Sequence, residues 1–172
     1  MNEFCRNCTN FRGDHLMHFL SCIIIAKNQV STLIRCIDSV RTALHSSDIR
    51  NAEIIYVDSA SSDGSANQVI STFGQSVAVY CLSGAMNAAI ARNKGALCAK
   101  GDVFCFVDGD MEIDKEWFGH AYSDREGLRY DAVSGKLFRF ARTGQRVVGK
   151  TDCSEIVKTL RLLPPVEEVQ DR

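Results

Sequence analysis

Four short and nearly unbroken apolar runs stand out along the chain, at residues 19–25, 54–57, 77–82 and 103–107. Each is rich in β-branched or aromatic residues and too short for a helix. Each therefore predicts a strand, the first buried on both faces and the second likewise buried. Between them the apolar positions change period. After the candidate N-cap Ser31, the residues Leu33, Ile37, Val40 and Leu44 fall on one helical face. Val69, Ile70 and Phe73 do the same in a shorter stretch closed by Gly74. In the Ala-rich segment 86–99, Met86, Ile90 and Leu97 are in helical register, and Gly101 marks its end. Alternating strands and helices predict an α/β fold: a three-layer sandwich around a mostly parallel central sheet. Further on, residues 132–140 predict another strand. Residues 154–163 predict a helix with Ile156, Val157, Leu160 and Leu163 on one face, stopped by Pro164-Pro165 ahead of a loose tail.

Length and composition narrow this picture. At 172 residues, 45% hydrophobic and 24% charged, the chain has the makings of one well-cored domain and none of the bias of a disordered or repetitive segment. The expected organisation is an N-terminal arm over 1–18, a main domain over 19–150, and a C-terminal helix and tail over 151–172. A formal net charge of -1 leaves no general positive field for nucleic acid, so nucleic acid is not an expected partner. No apolar run approaches the roughly 20 residues of a membrane span, and residues 1–20 lack the apolar stretch of a secretory signal. The expected location is the cytoplasm, with peripheral association to a membrane left open.

Eight cysteines are scattered through the chain, several of them inside apolar runs, as reduced thiols used as small hydrophobes would be. Cys5, Cys8, His15 and His18 form a candidate zinc set. The interval between its two pairs is shorter than in familiar zinc fingers, and a frayed arm is the preferred reading.

In open α/β sheets ligands gather at the carboxyl ends of strands. The four corners predicted there are Ala26-Lys27-Asn28, Asp58 to Gly64, Ser83-Gly84-Ala85 and Asp108-Gly109-Asp110. The last carries two carboxylates one residue apart behind a fully apolar strand. That arrangement suits a hard divalent cation whose shell is completed by diphosphate oxygens. Asp58 is a candidate ligand contact or a turn cap, and Asp63 or Ser65 is a candidate cap of the following helix, with Gly64 taking the turn conformation. Arg92 reads either as part of a solvated helix face or as an arginine turned toward a diphosphate.

Taken in order, the segments Ser21 to Asn28 (SCIIIAKN), Glu53 to Ser65 (EIIYVDSASSDGS), Ala91 to Gly95 (ARNKG) and Gly101 to Asp110 (GDVFCFVDGD) resemble the nucleotide-sugar-binding half of glycosyltransferase family 2. The resemblance spans about residues 20 to 140 and implies the GT-A, Rossmann-like fold. It also implies an inverting, metal-dependent transfer of a sugar from a nucleoside diphosphate donor to a carbohydrate or lipid-linked acceptor. Carried over by motif, Ala26 and Asn28 would line the nucleotide pocket and Asp58 would approach the base or ribose. Arg92 would sit near the donor phosphates. Asp108 would face the ribose and diphosphate, and Asp108 with Asp110 would hold Mg²⁺ or Mn²⁺.

The second acidic place after the second strand, common in the family, is Ser59 here. Beyond Phe140 only Asp152 and Glu155 offer themselves as a base, and the fold is expected to be shortened on its C-terminal side. A module that binds donor without transferring it is the alternative reading. A phosphohydrolase of the haloacid dehalogenase type is disfavoured because its DxD motif falls early in the chain.

Overall fold

The structure is a computed structural model that describes residues 17–84 and 87–128, together with the backbone of 139–140 and 146–147. The contacts divide the chain into two compact units, Met1–Gly127 and Leu128–Arg172. In the second, β7 (Arg139–Phe140) and β8 (Arg146–Val147) form an antiparallel pair. The remainder of the predicted strand over 132–138, the predicted helix over 154–163, and three of the four candidate zinc ligands (Cys5, Cys8 and His15) lie outside the described residues.

In the first unit the order is β1 (Leu20–Ala26), α1 (Val30–Ser46), β2 (Ala52–Asp58), α2 (Ser65–Phe73), β3 (Ala78–Cys81), α3 (Ala88–Cys98), β4 (Val103–Asp108) and α4 (Trp117–Ala121). A two-residue strand pair, β5 (Tyr122–Ser123) and β6 (Gly127–Leu128), follows. The four long strands form one parallel sheet in the order β3-β2-β1-β4. Every residue of β1 is buried, which is why its sequence shows no alternation. Right-handed crossovers place α1 and α2 on one face and α3 on the other, giving the three layers expected.

One expectation is corrected. The stripe of Ile90 and Leu97 in α3 does not face the core: Ile90 is 42% exposed and Leu97 83% exposed. Ala91 and Gly95 face it instead, packing on Ile23, Ile25, Ile55 and Val57. The reason is steric. A Cβ at Gly95 would come within 2.3 Å of Ile23 Cγ2, so α3 approaches the sheet closely only along its small-residue face. Met86, the third member of the stripe, is outside the described residues. Since α3 lies over β1 and β2, Phe104 and Phe106 on β4 remain 42% and 46% exposed among the described residues.

Capping also differs from expectation. The N-cap of α1 is Gln29 rather than Ser31, and it makes no side-chain cap bond. Asp63 reaches across from the β2–α2 loop instead, and its Oδ2 accepts the Val30 N–H at 2.9 Å. Its Oδ1 accepts from Ser65 N–H at 3.1 Å, while Gly64 takes the left-handed turn conformation at φ 84°. One exposed carboxylate thereby serves the first turns of two helices.

Candidate functional site

β2 and β3 extend the sheet to one side of β1, and β4 lies on the other. The crevice outside the carboxyl ends of β1 and β4 is thus the topological switch point of the sheet, where α/β folds accept ligands. A cavity of about 320 Å³ lies there, lined by Ala26, Lys27, Gln29, Ser59, Asn87, Asp108 and Asp110 among others. A second cavity of about 390 Å³ opens beside it at the ends of β2 and β3. Asp58, Ser61, Gly64, Cys81 and Leu82 are among the residues in its wall.

Local hydrogen bonds fix these corners. Gly109 N–H donates to the Ile25 carbonyl and Ser59 N–H to the Ala26 carbonyl, both at 2.9 Å, so β1 ends pinned between its neighbours. The Asp108-Gly109-Asp110 turn is held from above by α1. Thr32 Oγ1 donates to the Gly109 carbonyl at 3.0 Å, and Cys36 Sγ to the Asp108 carbonyl at 3.6 Å. Gly109 is required by space: a Cβ would meet Ala26 Cβ at 2.6 Å and Gln29 Oε1 at 2.7 Å.

The acidic residues differ in what they already hold. Asp58 is 3% exposed and accepts from Tyr56 Oη at 2.5 Å and from Ser61 N–H at 2.8 Å. Burial, together with the bond to Asp58, pushes the Tyr56 phenol up, so it stays protonated as the donor of that pair. Asp108 Oδ1 receives Arg92 Nη2 at 2.5 Å, an ion pair that is partly buried. Asp110 is exposed and has no hydrogen bond or ion pair among the described residues. Burial, reinforced by the negative charges of Asp110, Glu112 and Asp108, pushes the Cys36 thiol beneath this loop up to about 12.

Of the residues singled out from sequence, Ala26, Asp108 and Asp110 converge on the cavity at the switch point, and Asp58 lines the neighbouring one. Arg92 stands behind Asp108. Asn28 is in the wall of neither cavity. With φ 54° it lies in the left-handed region, its N–H donates to Ser61 Oγ, and its Oδ1 accepts the Ser62 N–H. It ties the β1 corner to the β2 corner. Sequence reasoning put Lys27 and Ser59 in the strand-end corners without giving either a role, and it passed over Gln29 and Asn87 as lining residues. Their common signal is position, one to three residues beyond a strand end or at the head of a helix.

The donor set is compatible with a hard divalent cation. Asp108 and Asp110 line the same cavity, and Arg92 takes only one of the Asp108 oxygens. No cluster of three or more His, Cys, Asp or Glu able to hold a metal occurs among the described residues. A cation here would take one or two protein carboxylates and complete its shell from substrate phosphate and water, as Mg²⁺ commonly does.

A parallel β3-β2-β1-β4 sheet with an acidic turn at its switch point is a Rossmann-like fold of the kind found in GT-A glycosyltransferases. The sequence profile of Glycosyl transferase family 2 matches residues 21–155, and the chain belongs to that family. Solved structures agree on the fold. The Staphylococcus aureus TarS 1–349 structure is 24% identical with a TM-score of 0.51, over 58% of this chain and 30% of that one. The mannosyltransferase PcManGT from Pyrobaculum calidifontis, solved with GDP-Man and Mn²⁺, is 19% identical with a TM-score of 0.51, over 60% of this chain and 31% of that one. This chain thus spans about a third of the length of either. Among curated proteins, none matches the sequence significantly. No helix among the described residues is long and apolar enough to cross a membrane.

Proposed function

We propose that the chain binds a nucleoside diphosphate sugar at the carboxyl edge of its sheet and transfers the sugar, with inversion, to an acceptor hydroxyl. The observation that carries this reading is the convergence of Ala26, Asp108 and Asp110 on one cavity at the switch point of a family 2 fold. Asp110 and the free oxygen of Asp108 would hold Mg²⁺ or Mn²⁺, as the resemblance implies. When bound, the cation supplies positive charge opposite the negative charge that grows on the departing diphosphate. The mannosyltransferase that shares the fold is solved with GDP-Man and Mn²⁺, which fits the same chemistry.

The chain's own groups have distinct tasks in this reading. Arg92 neutralises Asp108 and fixes its carboxylate, so the acidic turn presents one committed and one free acid to the ligand. Asn28 and Asp58 hold the β2 corner in place, and Asp58 offers the wall against which the base or ribose rests. In the transfer, the acceptor oxygen forms a bond to the anomeric carbon as the bond from that carbon to the diphosphate oxygen breaks. A carboxylate takes the acceptor proton. Five described cysteines are free thiols, which fits a reducing compartment such as the cytoplasm.

Calorimetry against UDP-, GDP- and dTDP-sugars with Mn²⁺ tests the reading. Binding of one donor that Asp110→Ala abolishes is expected. Silence across the panel, or binding untouched by that substitution, overturns it. A transfer assay on the donor that binds separates the transferase from the donor-binding module.

A further inference from the structure

Three charged side chains line the cavity at the switch point: Lys27, Asp108 and Asp110. Asp108 already has its counter-charge in Arg92. Lys27 is exposed, and its ammonium makes no ion pair or hydrogen bond among the described residues. Its main chain is nonetheless held firmly. The preceding carbonyl, of Ala26, accepts from Ser59, and the following N–H, of Asn28, donates to Ser61 Oγ. A rigid base thus carries a free cationic arm at the mouth of an otherwise acidic cavity.

We propose that Lys27 is a donor-binding residue whose ammonium pairs with the diphosphate of the nucleoside diphosphate sugar. The inference rests on the donor-site reading above and deepens it. Its warrant is charge balance among groups that share one cavity wall. The Arg92–Asp108 pair is neutral as a unit. A divalent cation on Asp110 leaves one net positive charge, whereas the diphosphate of a nucleotide sugar brings two negative ones. Lys27 supplies the missing positive charge and is the remaining basic side chain in the wall of this cavity. Without it, one negative charge of the diphosphate is left uncompensated. As a like charge on the same cavity wall, Lys27 would also work against a cation bound without nucleotide and so favour the ternary complex over the metal-only state.

The test is calorimetry on the full chain, wild type against Lys27→Ala and Lys27→Arg, with Mn²⁺ and with each of UDP, GDP, uridine and guanosine. For whichever diphosphate the wild type binds, Lys27→Ala is expected to weaken affinity about tenfold or more. Its matching nucleoside should be unaffected, and Lys27→Arg should restore most of the loss. Titration of Mn²⁺ without nucleotide should show equal or tighter binding to Lys27→Ala, a readout that a misfolded variant would not give. Undiminished diphosphate affinity in Lys27→Ala, or parallel loss of nucleoside and diphosphate, overturns the role of Lys27. If Asp110→Ala still loses the ligand in that case, the donor site itself stands. A wild type silent to both diphosphates overturns the two readings together.

Discussion

The two ends of the sheet carry similar numbers of acidic groups and use them differently. At the amino end Glu53, Asp102 and Asp124 each accept at least one hydrogen bond from the fold, with Asp124 Oδ1 buried and without a partner among the described residues. Glu53 Oε1 accepts from Ser21 Oγ at 2.8 Å and from Lys100 N–H at 2.6 Å, and Ser21 Oγ in turn accepts the Gly101 N–H at 2.9 Å. Asp102 binds Phe19 N–H at 2.7 Å and His18 Nδ1 at 2.5 Å, and Asp124 accepts the Arg50 N–H at 3.1 Å. Burial works to raise the Asp102 carboxyl, but the bonds from Phe19 and His18 outweigh it and hold the group below its ordinary value. At the carboxyl end the pattern loosens. Asp58 is occupied, Asp108 is half occupied, and Asp110 is free among the described residues. The acids that hold strands in register are thus kept apart from the acid left available to a ligand.

The sharpest way to break this comparison is Asp110→Ala. Loss of cation-dependent nucleotide binding is expected to exceed the roughly tenfold to hundredfold cost of losing a supporting partner at a metal site. The unfolding temperature should stay nearly constant, because an exposed, unpaired side chain contributes little to stability. Calorimetry beside a thermal melt reads both. If the melt falls as far as the affinity, the two ends are not distinct in kind.

Glu53→Ala should show the converse. Two hydrogen bonds to one carboxylate are lost at the base of β1, and about 1–3 kcal/mol of stability should go with them. Chemical denaturation is the measurement, and nucleotide affinity per folded molecule should not change.

Gly109→Ala lies between these cases. The added methyl meets Ala26 Cβ and Gln29 Oε1 too closely, and relieving that contact must move the acidic turn. Overpacking of this kind costs about 1–3 kcal/mol, and here it should lower stability and nucleotide affinity together. A variant that lost only one of the two would show that the turn is uncoupled from the β1 corner.

The smallest effect is expected at Asp63→Asn. Hydrogen bonds from Ser65 and from the Val30 N–H hold the Asp63 carboxyl below its ordinary 3.8. A carboxyl depressed on folding stabilises the native state above its unfolded value, and the contribution fades as pH falls through the lower folded value. Denaturant midpoints measured from neutral pH down through 3.8 should therefore show a shallower acid limb in the variant than in wild type. Identical acid limbs would assign the two-helix cap no titrating role.

Much of this was legible in the sequence, for a physical reason visible in β1 and β2. A strand covered on both faces must be apolar at most of its positions, so residues 20–26 and 54–57 announce themselves as short dense runs. Where such a run stops, the chain reaches solvent at the strand end, which is why Asp58 and Asp108 stood out. The α3 face was not legible. Ile90 and Leu97 repeat at helical spacing, and hydrophobicity alone would turn them inward. Contact with Ile23 admits only Ala91 and Gly95, and that constraint comes from a strand some seventy residues away. Asp63 likewise looked like a local cap. Its reach to Val30 depends on the two loops being neighbours in space.

Over residues 20–108 the sequence alone determined the elements, their parallel arrangement and the corners at which polar chemistry collects, because burial and period act over a few neighbouring residues. Tertiary structure decided which of the polar groups at those corners are already engaged. Arg92 meets Asp108 across sixteen positions, and Asn28 meets Ser61 and Ser62 across more than thirty. Whether a carboxylate is neutralised, buried or left free depends on partners that only folding brings within hydrogen-bond distance. Asp58, Asp108 and Asp110 began as equivalent acids at strand ends, and their surroundings in the fold made them different.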